Sequence, residues 1–305
     1  FVANNFSMTL KGMKFGLGGA NAVHKLLGTA SMETVTATMR DFSKGKIAKW
    51  DATLPKPITI NTKFEQKVSS KKVVYFPSCI NRTMGLSDVS VEEKQLFDVT
   101  VELLQKAGYQ IIFPEDLPNL CCGMPFSSKG FNEAGATKSK QLEIALNKAS
   151  NNGEYPVLCD TSPCTKTMIE KFKSDLKLYE PIEFALDFLS NDLEFTPINE
   201  PITIHTTCSS KKMGLDIKFR KLAYMCAKEV IIPADVNCCG FAGDRGFNYP
   251  ELNESALRDL PKSIKNAKYA FSTSKTCEIG LSEHAGLDYN SIFYLINKCT
   301  KAKNI

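Results

Sequence analysis

Two adjacent cysteines followed by glycine occur twice in this chain, in NLCCGMPF (Cys121, Cys122, Gly123) and in VNCCGFAG (Cys238, Cys239, Gly240). Thiolates are soft ligands that select zinc or iron–sulfur centres. A closed zinc site commonly uses two short chelating pairs with a few residues between their members. Neighbouring side chains point apart, so an adjacent pair serves one ion poorly. It suits a polynuclear cluster, where each sulfur meets a different iron. The glycine that follows lets the backbone come close and aim N–H groups at the sulfurs.

The pair is one landmark of a repeat. Cys79 opens CINRTMGL and Cys208 opens CSSKKMGL; Gly-Phe-Asn follows each pair, at Gly130 and Gly246; Cys164 closes DTSPC and Cys277 closes STSKTC. Landmarks matched in one order mark an internal duplication. Each copy offers four candidate ligands: Cys79, Cys121, Cys122 and Cys164, then Cys208, Cys238, Cys239 and Cys277. Cys159 lies five residues before Cys164 and is an auxiliary candidate. Cys226 shares a helical face with Phe219, Leu222 and Ala223 and reads as core, as does Cys299. A vicinal disulfide at either pair demands strained geometry. His205, three residues ahead of Cys208, is a candidate to tune or ligate a centre, and Arg82 and Arg245 are candidates to offset cluster charge. Gly240, Gly243 and Gly246 do not give GxGxxG and lack a following Lys-Ser/Thr, so they are not a phosphate loop.

The elements that must hold these cysteines alternate. KKVVYFPSC and PITIHTTC read as strands entering Cys79 and Cys208, and YQIIFP, YPVLCD and KYAFST as further strands. Ser90 and Glu93 read as a capping box for a helix whose apolar face carries Leu96, Val99, Leu103 and Leu104, with Gly108 after its end. The fold class is therefore α/β: two tandem repeated units with mainly parallel sheets, related by a pseudo-two-fold axis, with the cysteines meeting near the interface. Cys79, Cys159, Cys164, Cys208 and Cys277 all fall at or beyond strand C-terminal ends, where such sheets bind ligands. The expected divisions are 1–69, a helical arm with one helical stretch near METVTATMRDF and a Pro-containing linker; 70–199, the first unit; and 200–305, the second.

Composition narrows the class. With 43% hydrophobic residues and no run of eighteen apolar ones, a globular chain without a spanning helix is expected. The net charge of +5 is spread along the chain, and no basic stripe or binding motif marks a nucleic-acid groove. Eleven cysteines in a sequence showing no export signal place it in the cytoplasm, where clustered thiols serve metal or redox chemistry. The first residue is not Met, and missing upstream sequence is expected.

A cysteine, then CCG, then a terminal motif, all twice over, resembles the cysteine-rich CCG domain. That domain occurs in the B subunit of heterodisulfide reductase, in iron–sulfur subunits of glycolate oxidase and anaerobic glycerol-3-phosphate dehydrogenase, and in a lactate-utilisation protein. It also forms the C-terminal part of FAD-linked D-lactate dehydrogenases, which ANNFSMTLKGMKFGLGGANAVHKLLG and DTSPCT resemble most. The resemblance implies one or two iron–sulfur clusters, 4Fe–4S foremost, with zinc as the alternative in one repeat. It also implies upstream FAD and ferredoxin-like partners, electron transfer to a membrane quinone or cytochrome, and a peripheral place on the inner face of the cytoplasmic membrane. No CxxCxxCxxxCP run and no flavin-binding segment occur in this sequence. The family motif ends in CxxC, which puts its fifth cysteine at Thr161 and Ser274, both hydroxyl residues here. The expectation is four thiolates per centre, with those hydroxyls donating to cluster sulfur.

Overall fold

A computed structural model describes residues 1–45, 47–48 and 50–303. Lys72–Phe76 (β1) reads KVVYF and is buried from its second residue onward. A strand buried on both faces needs strand neighbours and helical cover on each side. Gln110–Ile112 (β2) and Val157–Cys159 (β3) flank β1, and Leu178–Tyr179 (β4) completes an all-parallel sheet ordered β2-β1-β3-β4. Beyond Leu193–Phe195 (β5), the strands Ile202–Ile204 (β6), Val230–Ile231 (β7), Tyr269–Ser272 (β8) and Tyr289–Ser291 (β9) build a second all-parallel sheet. Its order, β7-β6-β8-β9, is that of the first sheet repeated.

The ends of the two units meet each other. After β4 the chain runs helically through residues 181–192 into β5; after β9 it runs through the helix Ile292–Cys299 into Thr300–Ala302 (β10). β5 and β10 hold equivalent places and pair antiparallel, Glu194 opposite Lys301. An antiparallel pair of equivalent strands carries a local two-fold axis between them. Helix packing obeys the same axis. Leu96–Lys106 of the first unit packs on Ile292–Cys299 of the second, and Asp216–Cys226 of the second packs on Pro181–Phe184 of the first. Reciprocal contacts of this kind define an isologous interface.

Strand periodicity distributes the core. Val73 and Tyr75 join Phe97, Leu104, Ile202, Phe219 and Phe293 in a core shared by both units, whereas Val74 and Phe76 face an outer cluster with Leu142, Leu146 and Met168. In the second unit Ala270 and Tyr289 face the matching outer cluster, with Phe241, Leu257 and Leu260. The cysteine loops lie over these outer clusters: Cys122, Cys159 and Cys164 belong to one, Cys239 to the other.

Two expectations are corrected. The arm contains two helices, Phe6–Leu27 and Thr29–Phe42, and only the second is legible in the sequence. Gly12, Gly16, Gly18 and Gly19 weaken the first, at about 1 kcal/mol each against alanine. Tertiary contacts hold it instead. Phe6 is buried against Phe126, with ring centroids 6.0 Å apart, and the Ser7 N–H donates to Asn119 Oδ1 at 3.2 Å. Ser90 and Glu93 do not cap a helix, because the helix begins at Leu96 behind Gln95. Ser90 Oγ donates to Asp288 Oδ2 at 2.7 Å, tying the first unit to the second.

Candidate metal centre

In the first unit, adjacent parallel strands deliver the cysteines. Cys79 lies in the turn just past β1, and Cys164 in the first turn of the helix Ser162–Lys171 just past β3. Cys121 and Cys122 occupy the loop ahead of the short helix Met124–Ser127. The sulfurs form a continuous run, Cys79 against Cys121, Cys121 against Cys122, and Cys122 against Cys164. Cys121, Cys122 and Cys164 are buried and Cys79 is half-buried. Gly123 turns the loop with φ +87°, and its N–H donates to Cys121 Sγ at 3.4 Å. A Cβ at this glycine would drive into the carbonyl of Gly135, so no other residue fits without moving the helix Asn132–Ala149.

Crowding controls the charge. Hydrogen bonds from Cys121 and Cys164 pull the Cys122 thiol down to about 5. Cys121 is pushed up to about 12, chiefly by sharing its proton with Cys122, and Cys79 is raised by its bond to Cys121 and by burial. Bonding to Cys122 and Cys159 raises Cys164 further. The thiols alone therefore favour one thiolate among protonated neighbours. Four thiolates in this space require a cation, which a metal that deprotonates its own ligands supplies. Arg82 stands beside them, 4% exposed. Its guanidinium donates to the carbonyls of Leu117 and Leu120, and Nε has no partner. Burial lowers its pKa while Cys79 and Cys121 raise it. A buried cation bonded to carbonyls rather than a carboxylate suits an anionic neighbour. Lys138 is a second buried cation, its pKa lowered by burial and raised by Cys121.

The second unit repeats the four cysteines with less cover. Cys208 begins the helix Cys208–Lys212 beyond β6, Cys238 and Cys239 follow β7, and Cys277 lies in the first turn of Lys275–Ala285 beyond β8. Cys208 and Cys238 sulfurs are 3.6 Å apart, and those of Cys239 and Cys277 3.1 Å. Gly240, with φ +72°, donates to Cys238 Sγ at 3.3 Å, and a Cβ there would meet the carbonyl of Leu252. Burial raises the Cys208 thiol, and the bond to Cys239 with burial raises Cys238. Cys239 is lowered by Cys238 but raised further by Cys277 and burial, with a net rise. Cys208 and Cys238 are exposed, Cys239 buried, Cys277 half-buried. Among the described residues, no group of three or more His, Cys, Asp or Glu side chains is placed to hold a metal ion.

A family model described as a cysteine-rich domain, CCG, matches residues 73–168 and 202–282, more than half of the chain. The chain belongs to the cysteine-rich CCG domain family. It is 26% identical to lactate utilization protein A of Bacillus pumilus over 227 residues, covering 69% of this chain and 90% of that protein. Lactate utilization protein A of Macrococcus caseolyticus is 28% identical over 56% of this chain and 71% of its own. One subunit of the anaerobic glycerol-3-phosphate dehydrogenase of Escherichia coli K12 is 23% identical over 84% of this chain and 67% of its own. Family, relatives and thiol sets make this chain an iron–sulfur, electron-transferring module with an oxidoreductase role.

The remaining candidates separate. Arg82 joins the first CCG centre, whereas Arg245 is exposed at the start of the helix Arg245–Asn248. His205 is buried at the end of β6 with neither ring nitrogen hydrogen-bonded, and burial lowers its pKa to about 4. Thr161 does not aim its hydroxyl at sulfur: Oγ1 donates to Asp160 Oδ1 at 3.2 Å, accepts from Asn81 at 3.1 Å and meets Ser78 Oγ at 3.0 Å. Ser274 precedes its helix, buried, with no side-chain cap bond. Cys226 and Cys299 meet each other in the shared core. Sequence reasoning missed Lys138, Asp160 and Phe6, whose roles arise only from tertiary packing. Among the described residues, no helix is long and apolar enough to cross a membrane.

Proposed function

We propose that Cys79, Cys121, Cys122 and Cys164, and separately Cys208, Cys238, Cys239 and Cys277, hold iron–sulfur clusters that relay single electrons. The run of buried thiols beside Arg82, a cation bonded to carbonyls alone, supports this reading best. When bound, each cluster supplies a one-electron carrier. The chain's own residues fix its place and its electrostatics: the glycine turns bring N–H groups to the sulfurs, Arg82 and Lys138 offset negative charge, and the arm excludes water. The units correspond to residues 70–199 and 200–305, behind the arm 1–69.

The upstream chemistry in this reading is oxidation of a 2-hydroxy acid, D-lactate, at a flavin held outside this chain. Electrons then pass through the CCG centres to a membrane quinone or cytochrome. The lactate utilization relatives support the substrate class. The glycerol-3-phosphate dehydrogenase relative, which aligns with a larger share of this chain, supports a second reading as a relay for another flavin-dependent dehydrogenase. Mixing separates the steps. The reduced chain is expected to reduce a soluble quinone, and D-lactate with the chain alone to give no dye reduction. Lactate-dependent dye reduction by the chain alone contradicts the division of labour.

A further inference from the structure

Resting on the iron–sulfur reading of the first centre, we propose that Cys159 is a fifth thiol ligand there, in place of the motif cysteine missing at Thr161. The second centre has four. Strand periodicity makes the placement. Val157 and Cys159 point to the outer cluster that contains Cys122 and Cys164, while Leu158 between them points to the shared core. The Cys159 thiol donates to the carbonyl of Thr161 at 3.8 Å and is near enough to Cys164 to raise its pKa. The run of thiols is thus five long: Cys79, Cys121, Cys122, Cys164, Cys159.

Thr161 cannot take that role, since its hydroxyl is engaged by Ser78, Asn81 and Asp160 on the side of the Cys79 turn. The second unit offers no counterpart. Five residues before Cys277 stands Ser272, whose hydroxyl donates to the His205 carbonyl at 2.9 Å. Charge follows the same asymmetry. A fifth thiol that loses its proton to bind iron adds one negative charge, and the buried cations Arg82 and Lys138 stand at the first centre. Lys211 holds the place of Arg82 in the second unit, three residues after the first cysteine, and is exposed. A 4Fe–4S cubane is held by four cysteines. A fifth makes the first centre chemically distinct from the second.

The test uses the full chain purified without oxygen, with iron and acid-labile sulfide assayed and EPR spectra recorded after reduction. Variants are Cys159→Ala, Cys164→Ala and Val157→Ala, the last opening the same face without removing a thiol. Cys159→Ala is expected to lose about half the iron, one centre's share for Cys-held clusters, as Cys164→Ala does, or to keep it with an altered EPR signal. Val157→Ala should match the wild type. Wild-type iron and spectrum in Cys159→Ala overturn the assignment, as does an equal loss in Val157→Ala, which would trace the effect to loosened packing. A wild-type chain without iron defeats the iron–sulfur reading itself, a result distinct from either.

Discussion

The two CCG units repeat the same four cysteines and differ in what surrounds them. At the first, Cys121 and Cys122 are completely enclosed and Phe6 of the arm packs on the helix that follows them. At the second, Cys208 and Cys238 face solvent. Duplication copied four cysteines and the glycine turns. The cover and the charge come from residues that break the repeat: Phe6 lies outside both units, and Arg82 has an exposed lysine as its counterpart. A charge in a low-dielectric site acts strongly and one in water is screened, so the two centres should differ in potential and accessibility.

The largest effect is expected from the ligands. Cys122→Ser and Cys239→Ser should each remove about half the iron, because a hydroxyl is a harder, poorer ligand. Cys226→Ser should remove none, and elemental analysis reads all three. Equal loss in the three would erase the distinction between ligand and core.

Next comes His205, whose counterpart three residues before the first cysteine is Phe76. Its folded pKa of about 4 lies below the unfolded value of 6.5. The unfolded chain therefore binds the extra proton first, and stability is full above pH 6.5 and falls as pH drops toward 4. The loss reaches about 3 kcal/mol for a shift of this size. His205→Phe should flatten that part of the profile in denaturant titrations at pH 7 and 4.5. An unchanged slope would place the sensitivity elsewhere.

The glycine turns should respond alike. Gly123→Ala and Gly240→Ala put a Cβ at positive φ against a backbone carbonyl, and each should destabilise by at least about 1 kcal/mol in thermal melts. Tolerance at only one site would show that the turn matters in one centre alone. The smallest effect is electrostatic. Arg82→Gln removes a buried cation and should lower the first centre's potential by on the order of 60 mV, a tenfold change for one electron. Lys211→Gln should move the second much less, since its charge is solvated. Equal shifts would contradict the contrast in cover.

Much of this was legible in the sequence because it depends on local pattern. KVVYF and ITI announce buried parallel strands, and the landmarks from Cys79 to Cys164 and from Cys208 to Cys277 announce the repeat. What stayed hidden depends on distant contacts. The helix Phe6–Leu27 carries glycines that argue against it, and Phe6 is fixed by Phe126, 120 positions along the chain. Ser90 and Glu93 match a capping pattern, yet Asp288 of the other unit claims the Ser90 hydroxyl. Thr161 has a hydroxyl that the motif alone would aim at a cluster sulfur, but Ser78, Asn81 and Asp160 take its hydrogen bonds. Cys159 shows only its spacing to Cys164 in the sequence; the strand's facing direction decides where its sulfur goes.

The most direct measurement is the iron, acid-labile sulfide and zinc content of the full chain purified without oxygen. Iron–sulfur centres in both CCG units predict a brown protein with iron and sulfide sufficient for two clusters and no stoichiometric zinc. A colourless protein carrying stoichiometric zinc and no sulfide would contradict them.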